Sequence, residues 1–436
     1  MTSNVEKAQV GIIVILAFLY FLQAASPLRL HPDAVVLLSV AETVDHGGGY
    51  LYHGHPTVFP PGYPSLLALL IRLHLAHVWV IVSLNVLFVL LGLLVCGRLF
   101  QRMDFSRSFV LGVCILSLMS FVLIKYSAIP LTDMLFFCVS VLALASMDRL
   151  AAGQFSWRRM TGSVALVIAA VYIRRIGVAL IPALLHMLVL QSGVRLFVAR
   201  LSRRAKATIL LVGTIVAISI AGAAIVWGMR TASTLVDVGG LLHGPVLLRS
   251  VAGIVSFHFK ELGEIAVNLP YTALPRIAQD CLPVIGCLAL LSMCAGIVWR
   301  KQFTVVETYF VSYLAVILVW PFYDPRFWLP VLPFLFAYSG LAVKRFTQGR
   351  VAGRVAESYV MMFILLGMLT LASDTWLSFS GSEFGDSYTE GRYHATYCAV
   401  WRCKDSGAGK IDPDGLHLLR YYNSNGQSPP EHSQMP

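Results

Sequence analysis

HVWVIVSLNVLFVLLGLLVCG, residues 77–97, is an apolar run without a single Asp, Glu, Lys or Arg. About 20 such residues are what an α-helix needs to cross the hydrocarbon core of a bilayer. Comparable runs occur at 9–25, 108–124, 131–147, 161–173, 176–192, 208–228, 282–299, 305–321, 328–343 and 356–374. Residues 161–192 could alternatively form one broken hairpin. We predict an all-α polytopic membrane protein with about 11 transmembrane helices.

The composition supports this class of protein. Of 436 residues, 57% are hydrophobic and only 13% are charged, whereas soluble domains carry roughly 25% charged residues. The net charge of +11 does not indicate nucleic-acid binding, because Lys and Arg mark the cytoplasmic loops of membrane proteins. The run at 9–25 could be a signal peptide. We interpret it as a retained span, since no clear small-residue cleavage pattern leads into a soluble chain.

The distribution of Lys and Arg predicts the orientation. With the N-terminus inside, the short inside loops, such as 195–206 and 344–354, hold most of these residues, as the positive-inside rule requires. The first 374 residues then form a membrane domain with outer loops 26–76 and 229–281, and residues 375–436 form an outer tail with a disordered end. The charged residues of loop 229–281 are interpreted as solvated, with contacts to an acceptor as the alternative. We expect a functional site on the outer face.

Two cysteines lie in the outer tail. Cys398 and Cys403 are compatible with a disulfide in an oxidising compartment. A zinc site that adds His394 is disfavoured because the ligand set is poor.

The first outer loop carries several polar candidates. Asp33 closely follows the first span, and Pro32 predicts a helix start, so Asp33 is either a functional carboxylate or a helix cap. Glu42, His53 and His55 are interpreted as polar loop residues, and a His-x-His pair alone is weak evidence for metal.

The stretch FPPGYPSLLALL, residues 59–70, ends the first outer loop. Its prolines predict a stiff connector, and Gly62 is expected to permit a tight bend. A short interfacial helix over 65–73 should follow, because this run is too short to span. Tyr63 either lines the site or anchors the interface.

Other candidates stand at the outer ends of later spans. Asp133 is either a cap or a functional carboxylate at membrane depth. Arg174 and Arg175 lie between two apolar segments, where they either snorkel to headgroups or bind an anion. Arg326 lies in the turn PFYDPRFWLP, residues 321–330, and either pairs with Asp324 or binds a phosphate in bidentate fashion.

Together these stretches resemble the glycosyltransferase C superfamily, specifically its protein O-mannosyltransferase-like and aminoarabinose-transferase-like membrane enzymes. The matching stretches are His31-Pro32-Asp33, Phe59-Pro60-Pro61-Gly62-Tyr63-Pro64, Leu131-Thr132-Asp133, Arg174-Arg175-Ile176-Gly177 and the run DPRFWLPVLP at 324–333. The resemblance implies a catalytic base at Asp33, with Asp133 as a second acidic residue. It implies donor-phosphate binding by Arg326, assisted by Arg174 and Arg175. As our own prediction we add a substrate lining that includes Tyr63, His53, His55 and Glu42. Many relatives carry a second acid directly after the first. Here Ala34 stands at that position, so a divalent metal (Mg or Mn) at Asp33 is an open alternative.

The implied reaction is an inverting transfer of a sugar from a polyprenyl-phosphate donor to a glycan, lipid or protein acceptor on the extracytoplasmic face. The expected location is a bacterial inner membrane with the site facing the periplasm. The alternatives are a polytopic lipid or sugar transporter, such as a flippase, and a non-catalytic relative. Transporters usually contain internal repeats and broken helices near the midplane, and this sequence shows no convincing repeat.

Overall fold

The computed structural model describes residues 4–153, 156–190, 245–318, 320–346, 349–388, 393–401, 403 and 409–423. This part of the chain is helical apart from one hairpin of two short strands, β1 (Leu51–Tyr52) and β2 (His55–Pro56). In chain order its α-helices are α1 (Asn4–Leu22), α2 (Pro32–Asp45), α3 (Gly62–Arg72), α4 (Val78–Arg102), α5 (Arg107–Leu118), α6 (Phe121–Ser127), α7 (Asp133–Ala152), α8 (Trp157–Ile173), α9 (Leu180–Leu190), α10 (Pro245–Val267), α11 (Arg276–Arg300), α12 (Val305–Ile317), α13 (Leu332–Phe346), α14 (Arg350–Ser378), α15 (Phe384–Ser387), α16 (His394–Cys398) and α17 (Pro413–Asn423). Short 3₁₀ helices occupy Gln23–Ala25, Arg175–Ala179, Tyr271–Ala273, Pro325–Val331 and Gly381–Glu383.

Six helical segments of the described chain are long and apolar enough to cross a membrane, and a seventh results if the bent pair α5–α6 is one span. The six are Asn4–Ala25, Val78–Arg102, Asp133–Ala152, Arg276–Arg300, Pro325–Phe346 and Arg350–Ser378. An all-α, multi-pass integral membrane protein is thereby confirmed. The count of about 11 is not, because the described parts of the runs at 161–173, 176–192 and 305–321 form the shorter helices α8, α9 and α12, and 208–228 lies outside the described residues.

A long helix lies within the predicted outer loop 229–281. The 23 residues of α10 pack along α11, with Gly263 against the backbone of Leu282 and Gly286 against that of Phe259. These pairs run in opposite directions, so the two helices are antiparallel. The sequence obscured this helix because its C-terminal half carries charged residues that are typical of a solvated loop.

Buried asparagines stabilise two breaks in the helices. Asn268 donates to the carbonyl oxygens of Met119 (2.9 Å) and Phe363 (2.8 Å) and accepts from the N–H of Phe121 (2.8 Å), where α5 and α6 meet at 59°. Asn85 donates to the carbonyl of Ile129 (2.9 Å). Buried backbone groups need such partners, and the bends direct the ends of α6 and α7 toward the same region.

The C-terminal tail packs against the segment that precedes Asp33. The hydroxyl of Tyr397 in the tail bonds the backbone of Leu28 and Leu30, and Arg29 between them, 1% exposed, donates to both carboxylate oxygens of Asp374 near the end of α14 at 2.7 Å. Cys398 and Cys403 are joined by a disulfide, which confirms that pairing. The tail therefore fixes the exit of α1 and the start of α2.

Candidate active site

Five charged residues from four separate parts of the chain meet at one end of the helical bundle. We call Asp33, Asp133, Arg174, Asp324 and Arg326 the charged cluster. Arg326 contacts the carboxylate of Asp33 through Nη2 and lies with Nη1 4.0 Å from Asp133 and with Nε 2.7 Å from Asp324. Arg174 contacts the other oxygen of Asp133. Three carboxylates therefore face two guanidinium groups.

The turn that carries Arg326 is defined by its own sequence. Asp324 is the N-cap of the 3₁₀ helix Pro325–Val331 and accepts from the N–H of Arg326 at 3.1 Å. Proline at the first helical position suits this start because its φ is already restricted. The ion pair between Asp324 and Arg326, one of the two alternatives predicted from the sequence, is present. Arg326, only 6% exposed, also contacts Asp33. The pair is thus part of a larger site.

Asp33 is not the cap of its helix. His31 is the N-cap of α2, and its Nδ1 accepts from the N–H of Asp33 at 3.2 Å. The carboxylate of Asp33 is therefore available to Arg326, and its side chain is 30% exposed. Burial raises the pKa of Asp33, but the positive charge of Arg326 more than offsets this, so the pKa lies below its ordinary value. Asp33 is ionised at neutral pH.

Asp133 lies at the first position of α7 and is completely buried. Thr132 is the N-cap, and no side-chain hydrogen bond caps this helix. Arg174 contacts one of its carboxylate oxygens, and Nη1 of Arg326 lies 4.0 Å from the other. A buried carboxylate is costly unless opposite charge compensates it, and here Arg174 and Arg326 provide that charge. Asp133 therefore serves the charged cluster rather than the helix end.

Arg174 lies in an extended break between α8 and the following 3₁₀ helix, with its guanidinium carbon 5.0 Å from the ring of Phe327. The connector 59–64 packs beside it. A Cβ on Gly62 would lie 2.7 Å from the carbonyl oxygen of Tyr172, so glycine is needed for close approach. The prediction that Gly62 permits a tight bend is wrong, because Gly62 is the first residue of α3.

The neighbouring Arg175 is placed differently. It lines an apolar cavity of about 570 Å³ together with Phe59, Pro60, Pro61 and the facing sides of α8 and α9.

The other predicted lining residues lie elsewhere. His53 bonds Asp414 at 2.7 Å and Glu42 bonds His417 at 3.1 Å, both on α17 of the tail. His55 is exposed in β2. Tyr63 is 1% exposed within α3. The structure thus joins Glu42 and His53 to the tail rather than to the charged cluster.

Several residues around the charged cluster were not predicted from the sequence. Tyr126 donates to Asp324 at 3.0 Å, and His31 lies 3.9 Å from the same carboxylate. His258 and Glu261, which were interpreted as solvated loop residues, are completely buried behind the Arg326 turn. That interpretation is wrong, and the spacing of three residues between His258 and Glu261 on one helix face was the signal available.

The residues at Asp33 do not form a metal-binding set. In the described part of the chain, the carboxylates of Asp33, Asp133 and Asp324 each face a guanidinium group. The described His, Cys, Asp and Glu side chains that could share an ion in a group of three are His394, Cys398 and Cys403, two of which are bonded to each other. A divalent metal at Asp33 would have to displace these guanidinium groups, and that alternative stays a prediction.

Comparison with known proteins gave one structural similarity of note. No protein-family model and no curated protein matches this chain. Among solved structures, the fold is similar to the archaeal oligosaccharyltransferase AglB from Archaeoglobus fulgidus in complex with an inhibitory peptide and a dolichol-phosphate. The TM-score is 0.45 at 13% sequence identity, over 98% of this chain and 60% of that chain. This chain thus spans about three fifths of the length of that protein.

Proposed function

We propose that this protein is an inverting glycosyltransferase that moves a sugar from a polyprenyl-phosphate donor to an acceptor on the extracytoplasmic face of the membrane. The observation that carries this proposal is the charged cluster, in which Arg326 meets Asp33 and approaches Asp133 at one end of an apolar helical bundle. Buried charges in a membrane protein are costly and mark functional sites by default. A lipid-linked donor and an acceptor that approaches from the extracytoplasmic face both require a site at the end of the bundle.

Arg326 and Arg174 are suited to the leaving phosphate. The transition state of sugar transfer develops negative charge on the departing polyprenyl phosphate, and fixed cations stabilise that charge best where water is excluded. A guanidinium binds phosphate oxygens in a bidentate fashion, and Arg326 is held in place by its own turn. Arg175 faces the apolar cavity beside the connector 59–64, where it would assist on the lipid side of the phosphate.

Asp33 is suited to the role of general base. It is ionised at neutral pH, and about a third of its side chain is exposed, whereas Asp133 is fully buried. An acceptor hydroxyl attacks the anomeric carbon and gives its proton to Asp33, while the bond between that carbon and the phosphate oxygen breaks. The electron pair leaves with the phosphate. Attack opposite the leaving group inverts the configuration, and no protein nucleophile is required.

Because Asp33 contacts Arg326, binding of the donor would also activate Asp33 as a base. When the donor phosphate takes this guanidinium, the carboxylate of Asp33 loses its partner and becomes a stronger base. Asp133 remains with Arg174 and keeps the net charge of the site low. No step is assigned to a metal, since the side chains at Asp33 form no ligand set for one.

The acceptor is proposed to approach from the side of the first outer loop and the tail. His53, His55, Glu42 and Tyr63 belong to that side, and Glu42 and His53 there contact α17. The distribution of Lys and Arg supports an extracytoplasmic site, which would be periplasmic in a bacterial inner membrane.

The test is a turnover assay in lipid nanodiscs with a panel of undecaprenyl-phosphate-linked sugars. Asp33→Asn should abolish sugar release, because the amide cannot accept the proton. Asp45→Asn is the matched control, since Asp45 lies at the other end of the same helix and pairs with the exposed Arg72 at 3.5 Å. Lipid movement without sugar release, or equal turnover by both variants, would overturn the proposal.

A further inference from the structure

Behind the Arg326 turn lies a buried hydrogen-bond network that the proposed mechanism does not use. We call it the Glu261 network. One oxygen of Glu261 accepts from the backbone N–H of Asp324, and the other accepts from Nε1 of Trp328 at 2.9 Å and from Nδ1 of His258 at 2.7 Å. Nε2 of His258 lies 2.7 Å from the carbonyl oxygen of Trp320. Glu261, His258 and Trp328 are all completely buried.

The partners define the charges within this network. The Trp320 carbonyl can only accept, and the carboxylate of Glu261 already receives N–H groups on both oxygens. Both ring nitrogens of His258 therefore donate, which makes it an imidazolium paired with an ionised Glu261. Burial lowers the pKa of His258, but the bonds to Glu261 and Trp320 raise it overall, which agrees with this assignment.

The geometry of the network relates it to Arg326. Glu261 bonds the backbone of Asp324 on one side of Arg326 and the side chain of Trp328 on the other. These two anchors lie on either side of the residue whose guanidinium contacts Asp33. A shift of about 1 Å in a catalytic group can cost roughly 100-fold in rate, so a turn fixed at two points has a functional value.

We propose that Glu261, held by His258, is a positioning residue that fixes Arg326 for the phosphate of the donor. This inference rests on the proposed function, because it assigns Glu261 to the same reaction. Glu261 itself touches no reacting atom. A purely structural role would instead stabilise the fold without any dependence on Arg326.

The variant Glu261→Gln tests this role, because it keeps the size of the side chain but removes its charge and replaces one of the two oxygens that accept from Asp324, Trp328 and His258 with an NH₂ group. The matched control is Glu264→Gln, one turn later on the same helix. Glu264 is also buried, but burial raises its pKa to about 7, so glutamine resembles its protonated form. Each substitution is made alone and together with Arg326→Ala, and kcat, KM and affinity for undecaprenyl phosphate are measured in nanodiscs.

We expect Glu261→Gln to lower kcat/KM by about 100-fold and to weaken the binding of undecaprenyl phosphate, with Glu264→Gln close to the unaltered protein. With Arg326→Ala already present, Glu261→Gln should add little, since the residue it positions is gone. Trp328→Phe removes one anchor and should give a smaller loss of the same kind if Glu261→Gln proves too unstable to purify.

Three outcomes would overturn the positioning role. The first is equal turnover by Glu261→Gln and Glu264→Gln. The second is a full multiplicative loss on top of Arg326→Ala, which indicates a general structural defect. The third is an unaltered protein that neither binds undecaprenyl phosphate nor releases sugar, which removes the proposed function itself. In the first two outcomes the unaltered protein is active, so the proposed function survives.

Discussion

Arg326 and Arg300 are both largely buried and both contact carboxylates, yet they belong to different kinds of site. Arg300 contacts Glu307, whose oxygens also accept from Tyr338 at 2.6 Å and from the N–H of Thr304 at 2.7 Å. Thr304 and Glu307 form the capping box of α12. One carboxylate is matched to one cation, and its partners lie mostly within a few residues. This arrangement starts a helix and stabilises it.

The charged cluster around Arg326 is built differently. Three carboxylates share two guanidinium groups, Asp33 is 30% exposed, and the buried Asp133 has its charge compensated by Arg174 and Arg326, which lie far away in the chain. A site built only for stability would satisfy its buried groups locally. Buried charges that are unequal in number and partly exposed to solvent therefore indicate chemistry, whereas a matched ion pair within a capping box indicates a role in stability. The following predictions test that distinction.

The largest effect is expected for Arg326→Ala. Removal of a cation that stabilises developing phosphate charge should cost about 10²–10³ in kcat, while the protein still inserts and purifies normally. The measurement is sugar release per folded protein in nanodiscs. Near-normal turnover would show that Arg326 does not act in the reaction, and the functional difference between Arg326 and Arg300 would then be wrong.

Glu307→Gln should have the opposite profile. It leaves the buried Arg300 without its counter-charge, and breaking such a pair typically costs about 3–5 kcal/mol of stability. A clearly lower thermal unfolding midpoint is expected, with unchanged turnover by the folded fraction. Glu357→Gln, at an exposed position of α14, is the control. A catalytic loss comparable to that of Arg326→Ala at temperatures below unfolding would contradict the distinction.

Arg174→Lys should have a smaller effect on turnover. Lysine keeps the charge opposite Asp133 but loses the planar fork of the guanidinium. Loss of one charge-assisted hydrogen bond is worth about 1.5 kcal/mol, or roughly tenfold in kcat/KM. Arg72→Lys, at an exposed position, provides the comparison. If both substitutions leave kcat/KM unchanged, Arg174 acts only as a counter-charge.

The smallest effect concerns pH. Because the pKa of Asp33 is lowered, kcat/KM should not fall between pH 7 and 5, and its acid limb should lie below about 4. In Arg326→Gln the acid limb of the residual activity should lie at a higher pH, because the charge that lowers the pKa of Asp33 is gone. By linkage, the pair stabilises the fold above the ordinary pKa of Asp33 and ceases to do so as the pH falls through the lowered value. Melting curves at each pH therefore accompany the rates. An acid limb near pH 6 in the unaltered protein would assign the titration to another group.

Much of this architecture could be predicted from local patterns. Apolar runs located the long spans, and charges at the predicted outer ends of those runs identified Asp33, Asp133, Arg174 and Arg326 as candidates, because a charge at membrane depth is costly unless it is needed. Neighbourhood in sequence was a weaker guide. Glu42 lies nine residues beyond Asp33 on α2, roughly 13 Å away along a helix, and there it contacts the tail instead.

The membrane class follows from the sequence by itself, because the length of an apolar run is set against the thickness of the bilayer without reference to any other part of the chain. Only the tertiary structure decided which charges meet. Asp33 and Arg326 are 293 positions apart, and the burial of Glu261 behind the Arg326 turn depends on the packing of α10. Charge compensation depends on the distance between side chains, and that distance is a property of the packed helices rather than of any local pattern.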